Sequence, residues 1–343
     1  MMFETKLKIQ QKWQNSRLKR TRDSVTQQVR DNSLASLVTK YFVKLILLVF
    51  FAMIVMIPFA YMILIASVDN NQADQIKQGT SGLWPQSWQL FSNLRKAAVG
   101  SAKAFWPWQK GWERGYLFSF FLTIANVLIS IVLKIFLTML LGYAFSLKKW
   151  RGKNLVWSIL IMMLVLPEVA LLSGQKWVVV QMNNAIKPPS HDKFGLFNYN
   201  LFVIAIPFVA SIFNALMYRN AFESIPNRMK EVAMVDGVVG AKYLFKIAIP
   251  MVTPTTLTIV ILTTLASWNS YLWPSLIAGT DYRVMSVWLF DVGTDNTTSD
   301  ARIFYNIKMA GSIMVIAPMF IFFFFARKKI MNAISRQGST IKG

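Results

Sequence analysis

The chain has no cysteine and a single histidine, His191. The first absence removes disulfides, thiolate metal sites and cysteine nucleophiles; the second removes any centre that needs two histidines. A GxxxxGK[ST] phosphate-binding stretch is also missing. Nucleotide hydrolysis, if it powers this protein, therefore belongs to another chain. Acids are scarce: 15 Asp and Glu stand against 37 Lys and Arg, a net charge of +22 over 343 residues. Charged residues make up only 15%, while 55% are hydrophobic and the mean hydropathy is +0.42. That is too much apolar surface for an ordinary soluble core, and it sets the class as a membrane protein. The positive balance then reads as an orientation signal, because lysine and arginine concentrate in cytoplasmic segments. A nucleic-acid partner is not expected. Neither is a catalytic centre, a metal site or a cofactor.

Residues 1–41 form a polar, basic stretch, too long and too polar for the head of a cleaved signal peptide. It reads as a cytoplasmic tail, partly helical, either lying on anionic headgroups or simply solvated. From 42 to 343 the chain carries six apolar stretches: 45–67, 116–147, 155–173, 197–218, 251–274 and 309–326. A hydrocarbon core of about 30 Å needs about 20 helical residues, so each is a candidate span. The expected fold is an all-α membrane protein with six transmembrane helices. Short basic segments fix its orientation: Lys148, Lys149, Arg151 and Lys153 crowd one tight turn, and Arg327, Lys328 and Lys329 close the last span. This predicts cytoplasmic N- and C-termini, with 219–250 on the same side. The first outer segment, 68–115, holds Trp84, Trp88, Trp106, Trp108 and Trp112, and helical spacing from Gln86 to Phe105. It reads either as an interfacial anchor or as a docking surface for an external partner.

The longest charge-bearing stretch of the second half is Ser224 to Pro254. Ser224 is placed as an N-cap, with Pro226 in the first turn, where a missing N–H costs nothing. Gly237 can take the left-handed conformation that ends the first helix. The second helix is expected to stop before Pro250, whose ring disfavours helical geometry at Ile249. Asp236 either caps that second helix or pairs with a nearby lysine. Such a helical hairpin between two spans is a handle that something outside the membrane can hold.

Glu231-Val-Ala-Met-Val-Asp-Gly237, followed by Phe245, Ile247 and Pro250, resembles the EAA coupling loop of ABC importer permeases. Val232 and Val238 stand where that pattern has alanines. Further likeness lies in Gly142-Tyr-Ala-Phe145 with Arg151-Gly-Lys-Asn154, in Pro167-Glu-Val-Ala-Leu171, and in Ser267-Trp-Asn-Ser-Tyr-Leu-Trp-Pro274. Over nearly all of 80–343 the chain is similar to binding-protein-dependent sugar permeases of the MalG type. The resemblance implies a MetI-like, type I importer fold in the lipid bilayer. It also implies a second permease subunit, two ATP-binding subunits and an extracytoplasmic solute-binding protein. In its terms Glu231, Ala233, Asp236, Gly237, Phe245 and Pro250 form the ATPase-coupling surface, with 224–250 as the loop. Glu231 occupies the position that meets a basic residue of the ATPase. The Trp-Asn-x-x-x-Trp-Pro segment favours a carbohydrate or a related polyol phosphate as cargo; an amino acid, polyamine or phosphate stays open.

The solute path rests on spacing. Asn126, Ser130, Lys134 and Thr138 recur every fourth residue, one stripe along the second span. A lysine deep in a span is costly and usually faces a polar cavity or a partner. Thr256, Thr263, Ser267 and Ser270, with Asn269 beside them, give the fifth span a second polar face. The two faces either look into a shared cavity, or the hydroxyls merely bond back to their own helices. An ion-coupled transporter would need deep carboxylates, and a lysine is the only deep charge.

Overall fold

The computed structural model of the chain describes residues 11, 13–15, 34–99, 115–147, 150–186, 193–277, 283–295 and 302–339. Most of the basic tail, Trp106, Trp108, Trp112, Lys148 and Lys149 lie outside the described residues. The chain divides into two compact units, Met1–Ala60 and Tyr61–Gly343. The first holds most of helix α1, Leu34–Ser67, whose side chains from Leu45 to Ile57 are largely exposed and apolar.

Among its described residues, the elements of the second unit are helices and one two-stranded antiparallel ribbon, β1 (Thr294–Asp295) with β2 (Arg302–Ile303). After α1 come α2 (Asn70–Lys77) and α3 (Leu90–Val99), then the long α4 (Tyr116–Ser146). Next are α5 (Lys153–Met163), α6 (Glu168–Ile186), α7 (Lys193–Val209) and α8 (Ile212–Glu223). Helix α9 is Asn227–Val235, and α10 runs Ala241–Met251 with a π-helical segment Leu244–Ala248 inside it. Then come α11 (Thr253–Asn269), α12 (Leu272–Ile277), α13 (Met285–Asp291) and α14 (Tyr305–Ser339).

Among the described residues, three helical stretches are long and apolar enough to cross a membrane: Val38–Ser67, Tyr116–Ser146 and Tyr305–Lys328. Two bent pairs raise the number to five if each is one span: Tyr199–Val209 with Ile212–Glu223, bent by 55°, and α10 with α11, bent by 69°. Six were expected. The difference lies at 155–173, where the chain breaks: α5 is 11 residues long, and turns at Leu164–Leu166 lead into Pro167 before α6 starts at Glu168. Eleven residues rise only about 16 Å, half a bilayer core. Proline at 167 disfavours helical geometry in the residue before it, and here the apolar run does not continue as one helix. Likewise 197–218 is broken near Ser211, whose hydroxyl caps α8 by accepting from Asn214 N at 3.3 Å. The 251–274 stretch turns at Ser270, where the backbone is extended.

Helix α4 is the central post; α7, α8 and α11 all pack along it. Gly142 makes the α4–α8 crossing close: a Cβ there would lie 2.5 Å from Tyr218 Cβ and 2.8 Å from the Ala215 carbonyl. Arg219 lies 4.6 Å over the ring of the buried Trp157, tying α5 to the same crossing. At the other end, Asn93 Nδ2 donates to the Ala66 and Val68 carbonyls at 2.9 and 2.8 Å. Asn306 Nδ2, at the start of α14, donates to Val68 O and to Asn70 Oδ1. These fully buried amides satisfy carbonyls where α1 ends, which would otherwise be costly to bury. The same end carries an ion pair between Arg302 and Asp74 at 2.6 Å.

Candidate functional site

The loop between α8 and α11 is built on its turns. Helix α9 closes with a Schellman motif: Val238 N donates to Ala233 O at 2.7 Å and Gly237 N to Met234 O at 3.1 Å. Gly237 sits at φ +67°, the left-handed conformation expected of it. Gly240, which the sequence reading passed over, sits at φ +59° and ψ −130°, where a Cβ is strongly disfavoured. The Gly-Val-Val-Gly spacing at 237–240 was the available signal for this second turn.

Two local expectations need correction. Ser224 is not an N-cap. Its backbone is helical (φ −75°, ψ −9°), it ends α8, and its hydroxyl donates to Ala221 O at 2.7 Å. Ile225 precedes Pro226, whose ring disfavours helical geometry there, and Pro226 takes the extended N-cap place of α9. Pro250 does not stop the second helix either. Ile249 is helical (φ −62°, ψ −47°), and its N–H reaches back five residues to Leu244 O. This π register lets the helix tolerate a residue without an N–H, and the bend is deferred to Val252.

The loop has a buried side and a bare side. Ala233, Tyr243, Leu244 and Ala248 pack with Tyr218 and Phe222 of α8 and with Val252 and Ile259. Tyr218 Oη and Thr256 Oγ1 are hydrogen-bonded at 3.0 Å, and Tyr143 meets Phe222 edge-on at 5.3 Å. The bare side exposes Met229, Val232, Met234, Val235, Val239 and Phe245, with Val235 at 88% and Phe245 at 64%. Glu231, Asp236, Gly237 and Pro250 are exposed as well. Asp236 neither caps the second helix, whose N-cap is Gly240, nor makes an ion pair among the described residues. So Ala233 anchors the loop inward, and the other five predicted positions are accessible.

The polar stripe of α4 is buried: Asn126 and Ser130 at 0%, Thr138 at 2% and Lys134 at 7% exposed. It meets the face of α11 that carries Thr263 and Ser267, also buried, and Asn126 Nδ2 donates to Ser267 Oγ at 3.1 Å. Thr138 bonds back to the Lys134 carbonyl at 2.6 Å, and Thr256 bonds to Val252 O and Tyr218. Asn269 is exposed and does not join the seam. Asn126 Oδ1, Ser130 Oγ and Thr263 Oγ1 are buried without a hydrogen-bond partner, as is Ser119 Oγ further along α4. Native interiors leave few such atoms, so this seam stands out.

Residues 134–336 match the family model of the binding-protein-dependent transport system inner membrane component. The chain belongs to this family. The family is that of the membrane-embedded permease subunits of ABC importers, which work with ATPase and solute-binding subunits. Among relatives, a probable ABC transporter permease, the MG189 homolog of Mycoplasma pneumoniae, is 44% identical over 235 residues, 66% of this chain and 70% of that one. The arabinooligosaccharide permease AraQ of Bacillus subtilis is 24% identical over 65% of this chain and 73% of its own length. Among solved structures, a bacterial ABC transporter that imports the acidic polysaccharide alginate aligns with a TM-score of 0.62. That alignment covers 88% of this chain and 99% of the other at 19% identity, and supports the fold alone.

Proposed function

We propose that this permease subunit serves an ATP-driven importer of a sugar or related polyol phosphate, and that residues 224–250 are where an ATPase subunit drives it. The observation that carries the reading is the bare face of the loop. Six large apolar side chains lie exposed around Glu231 on a water-compatible hairpin, the composition of a surface awaiting a protein partner. Glu231 gives that partner a charge-assisted hydrogen bond, and Phe245 and the valines fill its cleft. The buried face explains transmission. Ala233, Tyr243 and Leu244 are packed on α8 and α11, so a pull on the loop moves both helices as one body.

In this reading both termini and the loop are cytoplasmic, and a second, different permease completes the membrane channel. A solute-binding protein delivers cargo on the opposite side. The carbohydrate class is supported by the arabinooligosaccharide relative and by the Trp268-Asn269 to Trp273-Pro274 segment. The seam of Asn126, Ser130, Lys134, Thr138, Thr263 and Ser267 serves the solute path when α4 and α11 part, with Asn269 at its exposed edge. Coupling is tested in the complete transporter in proteoliposomes with Glu231→Ala and Gly237→Pro. ATP hydrolysis should persist while uptake falls at least tenfold, with the subunit still in the membrane. Wild-type uptake in both variants would overturn the proposal.

A further inference from the structure

Away from the seam and the loop, the segment that follows α1 holds large apolar side chains in the open on a pinned backbone. Gln72, 2% exposed, donates its amide to the Gly82 and Trp84 carbonyls at 3.3 and 2.7 Å, and accepts from Gln86 N at 3.0 Å. Gln89 N donates to the Ser67 carbonyl at 2.8 Å, and the Gln89 carbonyl accepts from Asn93 N where α3 begins. Helix α3 buries Asn93, Ala97 and Ala98, with Leu90 and Leu94 on the same side packed against the core. Leu83, Trp84, Trp88 and Phe91 are exposed, Trp84 at 80% and Phe91 at 78%, and so are Arg95 and Lys96. Phe91 and Arg95 stand one turn apart on one face of α3.

The depth of this segment follows from α1. Val38–Ser67 is 30 residues long, about 45 Å, which is the thickness of a bilayer with its headgroup layers. A helix of that length crossing the membrane ends among the headgroups, and the Gln89–Ser67 bond holds Trp88 and the start of α3 at that end. The charge there has one sign: residues 75–99 contain Lys77, Arg95 and Lys96 and no acid. Neither Arg95 nor Lys96 makes an ion pair among the described residues. We propose that residues 83–96 bind anionic phospholipid, with Trp84, Trp88 and Phe91 lodged among the headgroups and Arg95 and Lys96 on lipid phosphate. Aromatic rings favour that layer, and cations beside them are attracted to anionic lipid. A docked protein is the competing occupant; the depth and the unbalanced positive charge favour lipid. The proposal depends neither on the coupling role of 224–250 nor on the cargo.

The chain has no cysteine, so a single one can be labelled cleanly. The test uses Phe91→Cys carrying an environment-sensitive fluorophore, in the complete transporter with its other subunits cysteine-free, in nanodiscs of equal parts phosphatidylcholine and phosphatidylglycerol. Phe51→Cys, exposed midway along α1, marks acyl-chain depth. The probe at 91 should be quenched by headgroup nitroxide lipids more than by chain-end ones, and be shielded from aqueous iodide. Nitroxide on phosphatidylglycerol should quench it about threefold to tenfold more strongly than the same label on phosphatidylcholine. Arg95→Gln with Lys96→Gln should bring that ratio close to one, and Arg95→Lys with Lys96→Arg should keep it. Four results overturn the proposal. A probe open to iodide and unquenched by lipid shows the face in water, and one shielded from both shows that a protein covers it. A probe quenched most by chain-end nitroxide lies too deep for headgroups. Equal quenching by the two lipids in the parent Phe91→Cys chain shows no anionic preference.

Discussion

Replacing Gly142 by alanine tests whether the α4–α8 crossing is as close as it is drawn. The new Cβ would lie 2.5 Å from Tyr218 Cβ, 2.8 Å from Ala215 O and 2.9 Å from Arg219 N. Carbon atoms rest against each other at about 3.5–4.0 Å, so the helices must separate by about 1 Å. Two of the three contacts are backbone, and no rotamer change relieves them. Overpacking of this kind costs about 1–3 kcal/mol. Separation also strains the neighbours on α8: the Tyr218–Thr256 hydrogen bond at 3.0 Å and the stacking of Arg219 on Trp157. Loss of the hydrogen bond adds about 1 kcal/mol, for a total of about 2–4 kcal/mol. At about 2–4 °C per kcal/mol, the melting temperature should fall by roughly 5–15 °C. The control is Gly174→Ala in α6, where a Cβ meets nothing within 4 Å and alanine favours the helix. Thermal unfolding of the detergent-purified chain, followed by circular dichroism, reads both variants. Equal melting temperatures for Gly142→Ala and the wild type would show that the crossing is looser than this geometry, and the reasoning would fail.

Asn93→Ala strips the Ala66 and Val68 carbonyls of their Asn93 donor, although Asn306 still reaches Val68. It should cost about 1–3 kcal/mol, seen as an earlier thermal transition; an unchanged transition would count against the amide clasp. Gly240→Ala forces a Cβ into φ +59°, ψ −130°, with about 1–3 kcal/mol of strain and no steric clash. Hydrogen exchange should rise locally over residues 238–244 and stay flat in α4; uniform exchange would refute a local effect. For the solute path, cysteines placed at 130, 134 and 267 should react with a water-soluble thiol reagent in one nucleotide state of the working transporter. Protection in every state would remove those positions from the path.

Long helices were legible where the apolar run is long enough to carry an isolated charge or proline: Lys134 in 116–147, Pro58 in 45–67 and Pro318 in 309–326. Residues 116–147 were expected as one helix and run from Tyr116 to Ser146, because nothing between them breaks an α-helix. The first turn of the 224–250 loop was legible for a different reason. Glu231, Gly237 and their neighbours carry a fixed spacing, and Gly237 has the conformation that spacing demands. At Pro167 and Pro250 the local expectation failed in opposite directions. Pro167 breaks an apolar run, while Pro250 is absorbed by a π turn. Which occurs depends on whether backbone partners are available nearby, and a one-dimensional pattern does not carry that.

By itself, the sequence determined the class, the family and the surface positions of the loop. Hydropathy depends on composition and motif spacing on order, and both are written in one dimension. Only the tertiary structure decided what the inner faces meet. It turned the α4 stripe toward Thr263 and Ser267, left Asn269 outside, and closed Gly142 against Tyr218. Those outcomes depend on the register between helices far apart along the chain, which side-chain packing selects and local propensity does not.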